Sequence, residues 1–157
     1  MRTRNTARVI LIDEHDRVLL VKYHEQTPSD PKLTGPMSFW VPPCGGVHEG
    51  ETFEAAIIRE IAEETGIELA GDLPWIWTRD HELMHSGELK HFHERYFVSR
   101  IQAHATLHNS TDEPIIDMRW WALDDIARSG ETFFPQGLAE LLVPVLEGRP
   151  PASPIAI

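Results

Sequence analysis

The chain has a single cysteine, Cys44, among 157 residues. One thiol cannot form an intramolecular disulfide, which suits a reducing compartment. No base stands beside Cys44 in the sequence, so it reads as a small packed residue. Long hydrophobic runs are also missing. The N-terminal MRTRNTARVILIDEHD has too short an apolar stretch for a signal peptide, and nothing approaches the length of a transmembrane helix. These absences predict a soluble cytoplasmic protein with no membrane partner. Basic residues are few: 14 Lys and Arg against 25 Asp and Glu, for a net charge of −11. That balance argues against a nucleic-acid backbone or an anionic lipid surface as the main partner. The hydrophobic fraction of 41% is ordinary, and the length suits one domain with a sizeable core.

What is present concentrates in Gly45 to Ile67, GGVHEGETFEAAIIREIAEETGI. Thr52 can cap a helix by accepting from an orphan backbone N–H. Glu54 falls in the first turn, where negative charge suits the helix dipole. Phe53, Ala56, Ile57 and Ile61 recur at helical spacing. Gly66 is placed to end the helix in a left-handed cap. The segment therefore predicts a helix over about Thr52 to Thr65. Glu60, Glu63 and Glu64 are spaced by three and four residues and share one face. Adjacent like charges destabilise a helix unless something offsets them, and carboxylate oxygen is what Mg²⁺ prefers. The plainer reading is a solvated acidic face. The glycine pair just upstream favours the metal. There, Phe39-Trp40-Val41 reads as a strand ended by Pro42-Pro43, and Gly45-Gly46 permits close backbone approach to a ligand.

Gly45, Glu51, Arg59, Glu60, Glu63, Glu64 and Gly66, with apolar Ile61 and Ile67, stand at the spacing of the Nudix box. The segment thus resembles that of hydrolases that cleave nucleoside diphosphates linked to another group. Cys44, His48 and Glu49 depart from common choices at variable positions. The resemblance implies an α/β fold, a mixed central sheet between helices in an α/β/α sandwich. It implies Mg²⁺, or Mn²⁺, on Glu60, Glu63 and Glu64 and on a loop carbonyl at Cys44 or Gly45. It implies that Glu51 and Arg59 pair, with Arg59 orienting the metal-binding carboxylates. Bound cations would also offset the repulsion between an acidic protein and an anionic substrate.

Metal-assisted hydrolysis follows, with a nucleoside monophosphate as one product. The general base is Glu60 or Glu63, or a loop carboxylate further along. Glu113 leads that second group, with Asp112 and Glu94 behind it. Substrate contacts are expected from Gly45 and Gly46, with Trp40, Trp75 or Trp77 as stacking candidates. Arg79 and Arg95 are candidates for phosphate or ribose, as are Lys22 and Lys90. For each of these side chains the plainer reading is core packing or surface charge. The partner expected is a small nucleotide, of nucleoside diphosphate sugar or ADP-ribose type, with a nucleoside triphosphate as the alternative. Many relatives are homodimers, and an exposed Trp120 or Trp121 would support that assembly.

The remaining chain reads as mixed α and β. Ala7 to Ile12 and Val18 to Lys22 predict strands joined by a turn at Asp13 to Asp16. Gln26 to Ser38 predicts a loop. Pro74 to Thr78, with Trp75 and Trp77 on one face, His91 to Ile101, and Met118 to Ala122 predict further strands. Helices are expected from about Leu123 to Ser129 and from Pro135 to Glu147, the latter kinked or split by Pro144. Residues 1–148 read as one domain, and 149–157 as a Pro-rich tail, loose or docked on a partner. His81-Glu82-Leu83-Met84-His85 fits the H-E-x-x-H zinc protease pattern. That chemistry needs a helix, and the β-rich context argues for a polar connection between strands instead. The same scaffold could also carry a nucleotide-binding module without catalysis, or an isomerase.

Overall fold

The computed structural model describes residues 1–102 and 115–157. Eight strands form one mixed sheet: β1 (Thr3–Ile12), β2 (Arg17–Glu25), β3 (Met37–Val41), β4 (Cys44–Gly46), β5 (Trp75–His85), β6 (Glu88–Arg100), β7 (Ile115–Ala122) and β8 (Ile155–Ala156). The main order is β3-β2-β1-β6-β5-β8, with β4 on β1 and β7 on β2. β1 and β6 run parallel over ten residue pairs, from Thr3 opposite His91 to Ile12 opposite Arg100. Three helices complete the described fold: α1 (Phe53–Thr65), α2 (Leu123–Arg128) and α3 (Leu138–Leu146). None of them is long and apolar enough to cross a membrane.

Alternation along β1 makes the layers. Ala7, Val9 and Leu11 pack against Ala56, Ile57 and Ile61 of α1. Ile10 and Ile12 face the other way and meet Ile126, Leu138, Leu142 and Val145 of α2 and α3. The result is the expected α/β/α sandwich. Burying Ile57 and Ile61 completely stabilises the α1 contact by about 1.5–3 kcal/mol per side chain.

The helix ends follow local chemistry. Thr52 accepts from the Ala55 N–H at 3.0 Å. Gly66, at φ 74°, donates its N–H to the Ala62 carbonyl, a left-handed cap that glycine adopts without a Cβ penalty.

Several elements differ from expectation. β5 continues to His85, where a connection was expected, because β6 pairs with it through the whole hairpin. A bulge shifts the β5–β6 register between Trp75 and Trp77. It breaks simple alternation. Trp75 therefore packs on the α1 side and Trp77 on the α2–α3 side, not on one face. α3 is not split at Pro144, which lies inside it. The end of the tail docks on the chain's own sheet. Ile155 and Ala156 pair in parallel with Trp77 and Thr78, and the Ile157 N–H donates to the Thr78 carbonyl at 2.9 Å.

Candidate functional site

β4 is the short strand that joins the two halves of the site. Its pairing sets Gly45 opposite Ala7 and Gly46 opposite Thr6. On the α1 side, a Cβ built at Gly45 would overlap the Glu60 side chain. Glycine is thus needed so that Glu60 can lie against the strand. Arg59 fixes the same corner. It donates to Glu51 through Nε and Nη2, both at 3.0 Å, to Glu60 through Nη1 at 3.0 Å, and to the Gly46 carbonyl at 3.1 Å. Glu63 Oε2 lies 3.8 Å from Nη1. The forked Arg59–Glu51 contact is geometrically specific. The Arg59 hydrogen bonds, with the His48 N–H, hold the Glu51 carboxyl down at about 2. The same bonds raise the guanidinium above its ordinary value.

The three helix glutamates differ in access. The Glu63 side chain is 51% exposed and Glu60 13%, while Glu64 is buried at 1%. Among the described residues no three acidic, histidine or cysteine groups converge as a finished cation cage. The donors nevertheless fit a hard divalent cation. All are carboxylate oxygens on one helix face, and the glycine seat holds one of them at the backbone of β4.

On the other side of β4 lies a cavity of about 350 Å³, bordered by Gly45 and Gly46, within the range of small-molecule sites. Its floor carries Arg4, Thr6 and Arg8 of β1. Glu94 of β6 is buried there, 2.7 Å from Arg8 Nε and 2.8 Å from His81 Nε2, with Arg79 at 3.8 Å. Burial pushes the Glu94 carboxyl up, but the Arg8 charge and the His81 contact outweigh it and hold it at about 2. An aromatic wall stands across the cavity. Tyr23 and Phe39 stack at 6.0 Å, and Phe134 meets Phe39 edge-on at 5.4 Å.

The residues expected at the site are placed unevenly. Arg59, Glu51, Glu60, Gly45 and Gly46 come together, with Glu63 and Glu64 on the same helix. Arg79 borders the cavity. Trp40 does not: it is 1% exposed in the α2–α3 core, and its Nε1 donates to Glu131 at 2.9 Å. Arg95 lies on the α1 side, between Phe53 at 4.2 Å and Trp75 at 4.1 Å. Lys90 sits 3.0 Å from His85 Nδ1, and Lys22 pairs with Glu131 at 3.0 Å. Glu113 and Asp112 lie outside the described residues. Trp121 is buried in the core and Trp120 packs on the α1 side, so neither offers a freely exposed indole.

The zinc protease pattern is overturned. His81 to His85 belong to β5, where four residues span roughly 13 Å and cannot present two ligands to one ion. His81 binds Glu94, and His91 and His93 both reach Asp80 Oδ1, at 2.8 and 2.9 Å. Thr6, Arg4, Arg8 and the aromatic wall border the site without having been expected there. Alternation of Arg4, Thr6 and Arg8 was an available signal, since it marks a polar face on a strand that begins earlier than Ala7. Phe134 carried no local signal.

Comparison with known proteins gives the family and the fold. The NUDIX domain family matches residues 2–142, and the chain belongs to that family. It is 31% identical over 107 residues to an RNA pyrophosphohydrolase of Wolbachia pipientis subsp. Culex pipiens, covering 61% of this chain and 66% of that one. It is 42% identical over 64 residues to an RNA pyrophosphohydrolase of Caulobacter vibrioides, covering 41% and 33%. The match thus spans less than two thirds of each of these relatives. Among solved structures, the MutT protein of Methanosarcina mazei Go1 superposes with a TM-score of 0.62 at 20% identity, covering 88% of this chain and 89% of that one. The NUDIX domain of Shewanella oneidensis NrtR, complexed with ADP ribose, gives 0.60 at 20%, covering 89% and 86%. At that identity the likeness is one of fold.

Proposed function

We propose that the chain is a divalent-metal-dependent pyrophosphohydrolase. Its preferred substrates are nucleoside diphosphate derivatives of the sugar or ADP-ribose type, cleaved to a nucleoside monophosphate and a second phosphorylated product. The observation that carries this reading is the Arg59 junction. One guanidinium ties Glu51, Glu60 and the Gly46 carbonyl together at the glycine where Glu60 lies against the strand. Glu60, Glu63 and Glu64, with the carbonyl at Gly45 or Cys44, are the groups that would hold Mg²⁺, with Mn²⁺ as a substitute. The metal supplies charge neutralisation of the diphosphate and a more acidic water.

Arg59 keeps Glu60 oriented and offsets the repulsion among the glutamates. Glu60 or Glu63 takes the proton from the attacking water, with Glu113 as the alternative base. Gly45 and Gly46 allow the diphosphate to cross β4, and Arg79 lies at the edge of the cavity where an anionic group would pass. A small nucleotide remains the preferred partner in an acidic, cytoplasmic protein. The relatives named RNA pyrophosphohydrolase favour a second reading, removal of pyrophosphate from the triphosphate end of RNA.

The test is product release from nucleoside diphosphate sugars, ADP-ribose, nucleoside triphosphates and triphosphate-ended RNA, with and without Mg²⁺. Mg²⁺-dependent monophosphate release that disappears in Glu64→Gln supports the reading. Release of pyrophosphate from triphosphate-ended RNA alone moves it to the second, and release from nucleoside triphosphates alone moves it to a nucleoside triphosphate pyrophosphatase. No turnover by the folded wild type on any member of the panel sinks both.

A further inference from the structure

We propose that Arg8 is a positioning residue for the reaction. From the cavity side it holds the Pro42 carbonyl and, through it, β4, so that Gly45 stays against Glu60. The inference rests on the pyrophosphohydrolase reading and adds a second tether to the one that Arg59 makes on the α1 side. Arg8 acts through β4 and needs no contact with the substrate.

The crossing from β3 to β4 is short of donors. Val41 pairs with Val21 of β2, while Cys44 already pairs with Arg8 of β1. Pro42 and Pro43 make the step between the two partners, and neither has an N–H to give. Such a segment is fixed through its carbonyls or by packing. Both carbonyls are taken by β1. Arg8 Nη1 donates to the Pro42 carbonyl at 2.7 Å, and the Val9 N–H donates to the Pro43 carbonyl at 3.2 Å. The first bond is the shorter and has an ionised donor, which makes it the stronger. β4 itself has three residues, and among the described residues it pairs with β1 alone. After it the Val47 N–H donates to the Asn5 carbonyl at 3.0 Å. So short a strand has little pairing of its own to fix its place.

Arg8 is itself held in one pose. Its side chain is 12% exposed, and its Nε donates to Glu94 Oε2 at 2.7 Å. The other oxygen, Glu94 Oε1, lies 2.8 Å from His81 Nε2, so both oxygens of the carboxylate are engaged. With Nε fixed on Glu94, the planar fork aims Nη1 at the Pro42 carbonyl. Glu94 and His81 thus reach β4 only through Arg8. What β4 carries belongs to the α1 side. Gly45 lets Glu60 lie against the backbone, and the Gly46 carbonyl accepts from Arg59 at 3.1 Å. A displaced β4 would be felt at both. A lysine at position 8 keeps a charge beside Glu94 and loses the rigid two-donor fork. Replacing Arg8 and Glu94 together leaves no stranded charge, but removes the donor to Pro42.

Two variants test this: Arg8→Lys, and Glu94→Leu with Arg8→Met, each shown by thermal melts to fold. The first readout is amide hydrogen exchange without metal or substrate. Exchange at Val9 and Val47 should quicken about tenfold relative to the α3 amides, as loss of one hydrogen bond from a charged group would give. The second is turnover of whichever substrate the wild type hydrolyses. There kcat should fall about tenfold or more, as a displaced reacting geometry does, with KM near the wild-type value. Wild-type kcat in a folded variant, or unchanged exchange at Val9 and Val47, would overturn the proposal. So would a loss confined to KM, which would make Arg8 a substrate contact. Hydrolysis by the wild type is scored separately. Turnover by the wild type, with variants unchanged in exchange and kcat, sinks the positioning role and leaves the activity. No turnover by the wild type sinks the hydrolase reading and the positioning role with it, and quicker exchange then shows only that Arg8 tethers β4.

Discussion

On the α1 side of the sheet one arginine holds two glutamates; on the cavity side one glutamate is held by an arginine and a histidine. The first network joins Glu51, Arg59 and Glu60 within ten residues of chain, and its arginine is one quarter exposed. The second joins Arg8 to Glu94, 86 positions apart, and its carboxylate is 1% exposed. The difference lies in what each network loses on damage. A half-open network has water to fall back on, so breaking it should disturb orientation more than stability. A buried one does not, so breaking it leaves a charge stranded.

The sharpest way to break the comparison is Glu94→Leu. Arg8 would be left buried without its carboxylate, and stability should fall by about 3–5 kcal/mol in denaturant melts. Adding Arg8→Met should recover most of the loss. If Glu94→Leu costs no more than Glu51→Gln, the two networks do not differ in this way.

On the α1 side the expectation reverses. Glu60→Gln should lower kcat by about 10²–10³-fold, as loss of one preorganised group at the reacting centre does, with folding retained in circular dichroism. Gly45→Ala comes next. Its Cβ displaces Glu60, and a misplacement of that kind should cost about 10²-fold in kcat/KM.

Acid titration sharpens the contrast further. The Glu94 carboxyl sits at about 2 in the fold against an ordinary 4.5. A lowered carboxyl contributes stability that is present above about 4.5 and is lost as pH falls towards 2. The contribution is roughly 3 kcal/mol. Melts of the wild type should steepen in that window, and those of the Glu94→Leu, Arg8→Met double variant should be flatter. The smallest effect belongs to the tail. Removing Ile155 to Ile157 strips two strand pairs and one apolar contact from β5, and should lower stability by about 1–2 kcal/mol.

Legibility followed the reach of the interactions. α1 could be read from Thr52, the Ala56–Ile57–Ile61 stripe and Gly66 because caps and helical faces are set within a few residues. The Arg59–Glu51 pair was expected only through the resemblance to the Nudix box; the bonds from Arg59 to Glu60 and to the Gly46 carbonyl came from the fold. β5 was drawn too short because its polar second half, Arg79 to His85, has no strand pattern of its own and is a strand through pairing with β6. Trp40 and Arg95 illustrate the same limit. Both are polar-tipped or cationic residues suited to a ligand, yet the sheet turned one into the core and locked the other between Phe53 and Trp75.

By itself, the sequence determined the helix, its caps, its row of carboxylates and the glycines before it, because those depend on spacing along a few turns of chain. Only the tertiary structure decided which face each strand residue took and that Arg8, His81 and Glu94 would meet. The same holds for the wall of Tyr23, Phe39 and Phe134 opposite Thr6. Those contacts arise from parallel pairing, a bulge and the crossing of distant segments. No local rule places two residues 86 positions apart within a hydrogen bond of each other.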